Sequence, residues 1–317
     1  DVMPYRAHVN EAPADFLEHG SDESIEASAA LITLGLHHEQ QHQELMLTDL
    51  KHLLSLNPLQ PVYVDAPAAS SRELAPMQWV ARPGGHAEVG PGGGESSFDN
   101  ETPRHEVLLR PHQLASRPVT NGEYLAFVRD GGYSRPELWL SDGWAAVQSQ
   151  GLRAPLYWSE AEDGEWSVFT LMGPRPLSLA EPACHLSLYE AAAYAQWAGA
   201  RLPTEFEWEA AAQALGRPAA RFDRHYPHPV AAGAEAGLQQ MFGEVWEWTR
   251  SSYDPYPGFK PLAGSVGEYN GKFMVSQVVL RGGTRATPSG HLRASYRNFF
   301  PPGARWQFSG LRLARDA

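Results

Sequence analysis

A chain of 317 residues with 43% hydrophobic and 20% charged residues is long enough for two domains and too apolar to be disordered. Its 25 Lys and Arg against 37 Asp and Glu leave a net charge of −12, which repels phosphate and argues against nonspecific nucleic-acid binding. The lone cysteine, Cys184, excludes a disulfide scaffold, a Cys-based zinc finger and a CxxC redox pair, and no apolar run of about 18 residues is present to cross a membrane.

In chain order, Tyr5 to Glu18 predicts a first helix, with Pro13 inside it. Ser24 to His52 predicts a second, because Ile25, Ala29, Ile32, Leu36 and Leu45 follow helical spacing. Gly35 costs a helix interior about 1 kcal/mol, so it marks a break or a close packing point. Asn57-Pro58 ends the run, and residues 56–76, with Pro58, Pro61, Pro67 and Pro76, read as a linker. From Met77 the pattern changes. All ten Trp lie at or beyond Trp79. Short β-type runs at 78–80, 106–109, 278–281 and 311–313 are separated by glycine turns such as Pro91-Gly92-Gly93-Gly94. Thr120 with Glu123, Ser187 with Glu190 and Thr204 with Glu207 are capping boxes that open helices. The fold class is α+β, with the 29 Gly and 26 Pro placed mostly in loops. No charged-then-apolar leader opens the chain, so cytoplasm is the expected location.

Four of the 13 histidines fall between residues 37 and 52. His38 and His42 are four apart, so their rings leave one face of a helix about a turn apart, where two imidazoles can share a divalent metal. The string His38-Glu39-Gln40-Gln41-His42 also spells the H-E-x-x-H of a zinc hydrolase, with Glu39 as base. The extension of one such protease class, H-x-x-G-x-x-H, does not follow, and no downstream residue stands out as a third ligand.

Leu36-His37-His38-Glu39-Gln40-Gln41-His42-Gln43-Glu44-Leu45-Met46-Leu47-Thr48-Asp49 resembles the helix of the ergothioneine-biosynthesis sulfoxide synthases, non-haem iron enzymes. Residues 200–209 (ARLPTEFEWE), 243–249 (GEVWEWT), 279–283 (VLRGG) and 308–312 (FSGLR) resemble, in order, the signature of the formylglycine-generating, sulfatase-modifying fold. The resemblance implies a partial DinB-like helical iron-binding unit with linker over residues 1–75. A loop-rich, C-type-lectin-like substrate domain over 76–317 follows it. It implies iron(II) held by three His, two of them His38 and His42, with O2 as co-substrate, and a thiol joined to N-α-trimethylhistidine. The first ligand has no counterpart here, and neither His8 nor His19 fits it. The chain is therefore expected to be N-terminally incomplete, to bind iron weakly and to be inactive on its own.

By the same resemblance Gln41 and Asn298 orient the betaine, and Phe299 offers an aromatic face to its trimethylammonium. Phe300 replaces an Asp that lies near the sulfur donor in some members, so cysteine and γ-glutamylcysteine both stay open as donors. Tyr269, in Gly267-Glu268-Tyr269-Asn270, is the candidate proton donor. Trp246, Trp248, Arg281 and Arg312 read as fold-forming. The formylglycine-generating enzymes use cysteines near the C-terminus; residues 289–310 hold none, and Cys184 reads as a small buried residue. The rival to an enzyme is a catalytically silent binding module on the same scaffold, with the zinc hydrolase a third reading.

Overall fold

The structure is a computed structural model that describes residues 2–66, 74–93, 97–216, 226–268 and 270–317. It opens with two helices, α1 (Val2–His19) and α2 (Asp22–Ser55), the second capped by the Ser21 side chain. Both contain the expected helices. Pro13 lies within α1, and α2 runs through Gly35 without a break. A Cβ placed on Gly35 would meet no neighbour within 4 Å, so that glycine is not a close packing point either.

Beyond them follow β1 (Trp79–Arg82), β2 (Gly85–Val89), β3 (His105–Leu109), β4 (His112–Ala115), α3 (Asn121–Arg129), α4 (Ser141–Gln150), β5 (Trp158–Glu160), β6 (Trp166–Thr170) and β7 (Gly173–Pro176). Then come α5 (Leu188–Trp197), α6 (Glu205–Gln213), β8 (Trp246–Ser252), β9 (Val278–Arg281), β10 (Asn298–Phe300), β11 (Ser309–Gly310) and β12 (Ala314–Asp316). The strands form sheets ordered β1-β4-β12, β10-β9-β8-β11, β2-β3 and β5-β6-β7. All three predicted capping boxes are closed at the starts of α3, α5 and α6. The run expected at 311–313 is not a strand. The chain leaves β11 and joins β12 there, while the Leu311 and Leu313 carbonyls accept from the Val119 and Ala115 N–H groups.

The β10-β9-β8-β11 sheet is centred on buried ion pairs. Arg281 meets Glu205 at 2.7 Å and Glu209 at 3.0 Å, Arg297 meets Glu205 at 2.9 Å, and Arg312 meets Glu247 at 2.8 Å. Burial alone would raise the Glu205 carboxyl, but Arg297 and Arg281 hold it below its usual value. Trp248 is fully buried and donates to the Leu186 carbonyl, so Trp248, Arg281 and Arg312 form the fold as expected. Cys184 is buried and unpaired, and burial pushes its thiol up to about 12, far from a thiolate nucleophile.

The expected apolar stripe of α2 is not its buried face. Leu36 is 62% exposed, whereas the buried residues are Glu44, Thr48 and Lys51. The reason lies in the partner surface, which presents an indole N–H, threonine hydroxyls and an imidazole. Leu47 and Leu50 join an apolar cluster, that of Leu171, Cys184, Val245, Ala286 and Phe308, and Leu34 packs against the main core cluster that contains Phe98 and Tyr296.

Candidate functional site

Residues 37, 41, 44, 48 and 51 alternate spacings of four and three, which lays them in one stripe along α2. Nearly every member has a polar partner in the β-rich region. His37 Nδ1 lies 3.1 Å from His291 Nδ1, and Gln41 Nε2 donates to the Tyr296 hydroxyl at 2.7 Å. The Glu44 carboxylate accepts from Trp246 Nε1 at 2.6 Å, Thr284 Oγ1 at 3.1 Å and Thr287 Oγ1 at 2.6 Å. Burial raises the Glu44 carboxyl, and these three donors pull it partly back. Lys51 is fully buried. Its Nζ lies 2.7 Å from His185 Nε2 and over the rings of Tyr157 and Phe308. Burial lowers this lysine to about 8.

A cavity of about 200 Å³ sits where this stripe meets the sheet. Gln41, Glu44, Leu45 and Thr48 wall it from α2; Trp246, Phe273, Tyr296, Asn298, Phe299, Phe300 and Gln307 wall it from the other side. The strand register explains the second wall. On β10, Asn298, Phe299 and Phe300 pair with Leu280, Val279 and Val278 of β9, while Trp246 begins β8. Phe299 is held flat against Tyr253 (centroids 4.0 Å, planes 11° apart) and lies 5.8 Å from Phe273. Asn298 Oδ1 accepts from the Phe299 N–H at 2.9 Å, which orients the amide and leaves its NH2 and a second lone pair of the oxygen for a ligand. Phe300 lines the cavity and also packs edge-on to Trp306.

Three of the expected site residues, Gln41, Asn298 and Phe299, thus line one cavity. His38 and His42 lie on the adjoining, exposed face of α2, ring centroids 4.5 Å apart. Burial and the neighbouring His42 ring hold His38 below its usual pKa, and the neutral imidazole is the ligating form. His38 also lines a second cavity of about 320 Å³, with Phe98, Asp99 and Asn270. The pair suits two positions of a divalent metal. Among the described residues, no group of three or more His, Cys, Asp or Glu comes together to complete such a site. Glu39 pairs with Arg6 at 2.9 Å on the surface. Tyr269 lies outside the described residues; its neighbour Asn270 is buried and donates to Asp99 at 2.6 Å. Sequence reasoning missed Glu44 and Tyr296 as parts of this site and read Trp246 as fold-forming alone; the signal for Glu44 was its place one turn below Gln41 on the stripe.

Mixed helices and short sheets joined by long loops, with an aromatic cavity at the edge of the central sheet, define a C-type-lectin-like domain of the formylglycine-generating type. The Sulfatase-modifying factor enzyme 1-like domain family matches residues 65–317. A protein named hercynine oxygenase from Mycolicibacterium smegmatis is 37% identical over 100% of this chain and 78% of its own length. Its namesake from Mycobacterium tuberculosis is 36% identical over 88% and 70%, respectively. Among solved structures, PvdO from Pseudomonas aeruginosa matches with a TM-score of 0.50 at 20% identity, over 78% of this chain and 100% of that one, a likeness of fold alone. The chain belongs to the Sulfatase-modifying factor enzyme 1-like family and, within it, to the hercynine oxygenase group of oxidoreductases.

Proposed function

We propose that the chain serves ergothioneine biosynthesis by iron(II)- and O2-dependent joining of a thiol, cysteine or γ-glutamylcysteine, to the imidazole of N-α-trimethylhistidine, with oxidation of the sulfur to the sulfoxide. The observation that carries this reading is the aromatic cavity with the amide side chains of Gln41, Asn298 and Gln307, set beside a His pair on the helix that carries Gln41. Family membership supports it. In this reading α1 and α2 belong to a DinB-like helical unit over residues 1–75, and residues 76–317 form the substrate domain.

His38 and His42 would hold the iron, which supplies a redox centre with positions open to thiolate and O2. The chain's own residues bind and orient. Phe299 cannot rotate freely because Tyr253 stacks on it, so its face is a fixed platform for a quaternary ammonium. Tyr296 fixes the Gln41 amide, and Gln41 and Asn298 then set the direction in which the betaine lies. Burial holds the Tyr296 hydroxyl well above its usual pKa, so it stays a neutral partner for Gln41. Tyr269 is the proposed proton donor. Trp246, Phe273 and Phe300 add aromatic surface to the cavity wall.

The test is to supply a full-length version of the protein, with the first iron ligand present, with Fe(II), trimethylhistidine, either thiol and O2, and to look for the sulfoxide by mass spectrometry, with iron titrated into wild type and His38→Ala. Product in the wild type and loss of iron binding in the variant are expected. Iron binding that ignores His38, with no product from either thiol, overturns the reading.

A further inference from the structure

Glu44 completes the string His38-x-x-x-His42-x-Glu44, yet it stands apart from the histidines. Two residues after His42 it leaves the helix roughly 200° further round. Both its oxygens are engaged by the indole of Trp246 and the hydroxyls of Thr284 and Thr287. These donors come from the first residue of β8 and the loop after β9, so one side chain ties α2 to two separate segments.

The tie closes on itself. The Trp246 ring meets Tyr296 edge-on at 5.1 Å, and Tyr296 accepts from Gln41, one turn back along α2. The apolar contacts of α2, those of Leu34, Leu47 and Leu50, are non-directional and would tolerate a shifted helix. A slip of one residue moves α2 by about 1.5 Å and turns it by about 100°, which would swing Gln41 out of the cavity wall. Three directional bonds to one buried carboxylate forbid that slip.

We propose that Glu44 is a positioning residue that sets the register and rotation of α2 against the sheet and, through Gln41, the orientation of the ligand in the cavity; the second half of this rests on the betaine reading above. A carboxylate suits the task because it is acceptor-only, and all three facing groups donate to it. A glutamine would keep an acceptor on one side and turn an NH2 toward the other.

The full chain carrying Glu44→Leu, Glu44→Gln, Gln41→Ala or Glu44→Leu with Gln41→Ala tests this, with N-α-trimethylhistidine binding read by calorimetry and amide exchange read over residues 36–52. Glu44→Leu is expected to weaken binding by about tenfold or more, and Glu44→Gln by distinctly less. In the Gln41→Ala background Glu44→Leu should add less than about twofold, because the two act through one group. Exchange over residues 36–52 should quicken by about tenfold in Glu44→Leu, while β8 and β9 stay protected. Thr284→Val with Thr287→Val removes two donors from the other side and should reproduce the exchange result. Unchanged exchange, or full additivity with Gln41→Ala, overturns the proposal. A wild-type chain that does not bind the betaine overturns the reading of the cavity instead, and the exchange arm alone then decides the role of Glu44 as the anchor.

Discussion

A buried carboxylate is worth what its partners make of it. Glu205 accepts from Arg281, Arg297 and the Tyr256 hydroxyl in the centre of the domain. Removing it leaves Arg297 buried without a carboxylate, while Arg281 keeps Glu209. Glu205→Ala is therefore expected to lower the unfolding free energy by about 3–5 kcal/mol, read by urea titration. The exposed pair of Arg135 and Glu137 has the same chemistry at 3.0 Å, but solvent screens it, and Glu137→Ala should leave the stability nearly unchanged. A loss of similar size at both positions would refute the distinction. Residues of this kind show how far single positions can be read from sequence. The spacing of His38 and His42 is a local property and was legible. That Gln41 meets Tyr296, and Glu44 meets Trp246, is not, because the partners lie more than 200 residues away.

At the scale of elements, local rules predicted well where the chain decides alone. Each capping box opens the helix it was expected to open, because the hydroxyl, the backbone N–H and the glutamate sit within four residues. The face of α2 was misread because burial there follows a polar partner surface rather than apolar period. Two predictions follow from what that surface is. Gly35 sits mid-helix with free space where a Cβ would stand, so Gly35→Ala should stabilise α2 by about 0.5–1 kcal/mol, seen as slower amide exchange around it. Lys51, facing His185, Tyr157, Phe308 and Cys184, has a folded pKa of about 8 against 10.5 for the free side chain. Below about pH 8 both states carry the proton and the folded state bears the full penalty of a buried cation. Above it the unfolded state holds more protons, so stability should rise with pH between about 8 and 9. Beyond 9 the Cys184 thiol, raised to about 12 in the fold, opposes this, since only the unfolded chain then ionises. Denaturant titrations across this range should show the rise in wild type and none in Lys51→Met.

Over the whole molecule, the order of the signature strings announced the β-rich region, and the family match over residues 65–317 agrees with it. The cavity itself was not announced, because its two walls belong to α2 and to β8 and β10, and only the docked helix brings them together. The contribution of α1 to that docking can be judged from its contacts. No side chain of α1 is buried, and its contact with α2 includes the ion pair of Arg6 and Glu39, both largely in solvent. An exposed pair of this type contributes at most about 1 kcal/mol. The polar stripe from His37 to Lys51 lies wholly within α2, and Ser21 caps that helix without help from α1. Removing residues 1–19 is therefore expected to shift the unfolding free energy of the remaining chain by less than about 1 kcal/mol and to leave exchange over residues 36–52 unaltered. A larger fall in stability, with faster exchange in that stretch, would mean that α1 holds α2 against the sheet, and the anchoring would then belong to the helix pair rather than to the polar stripe.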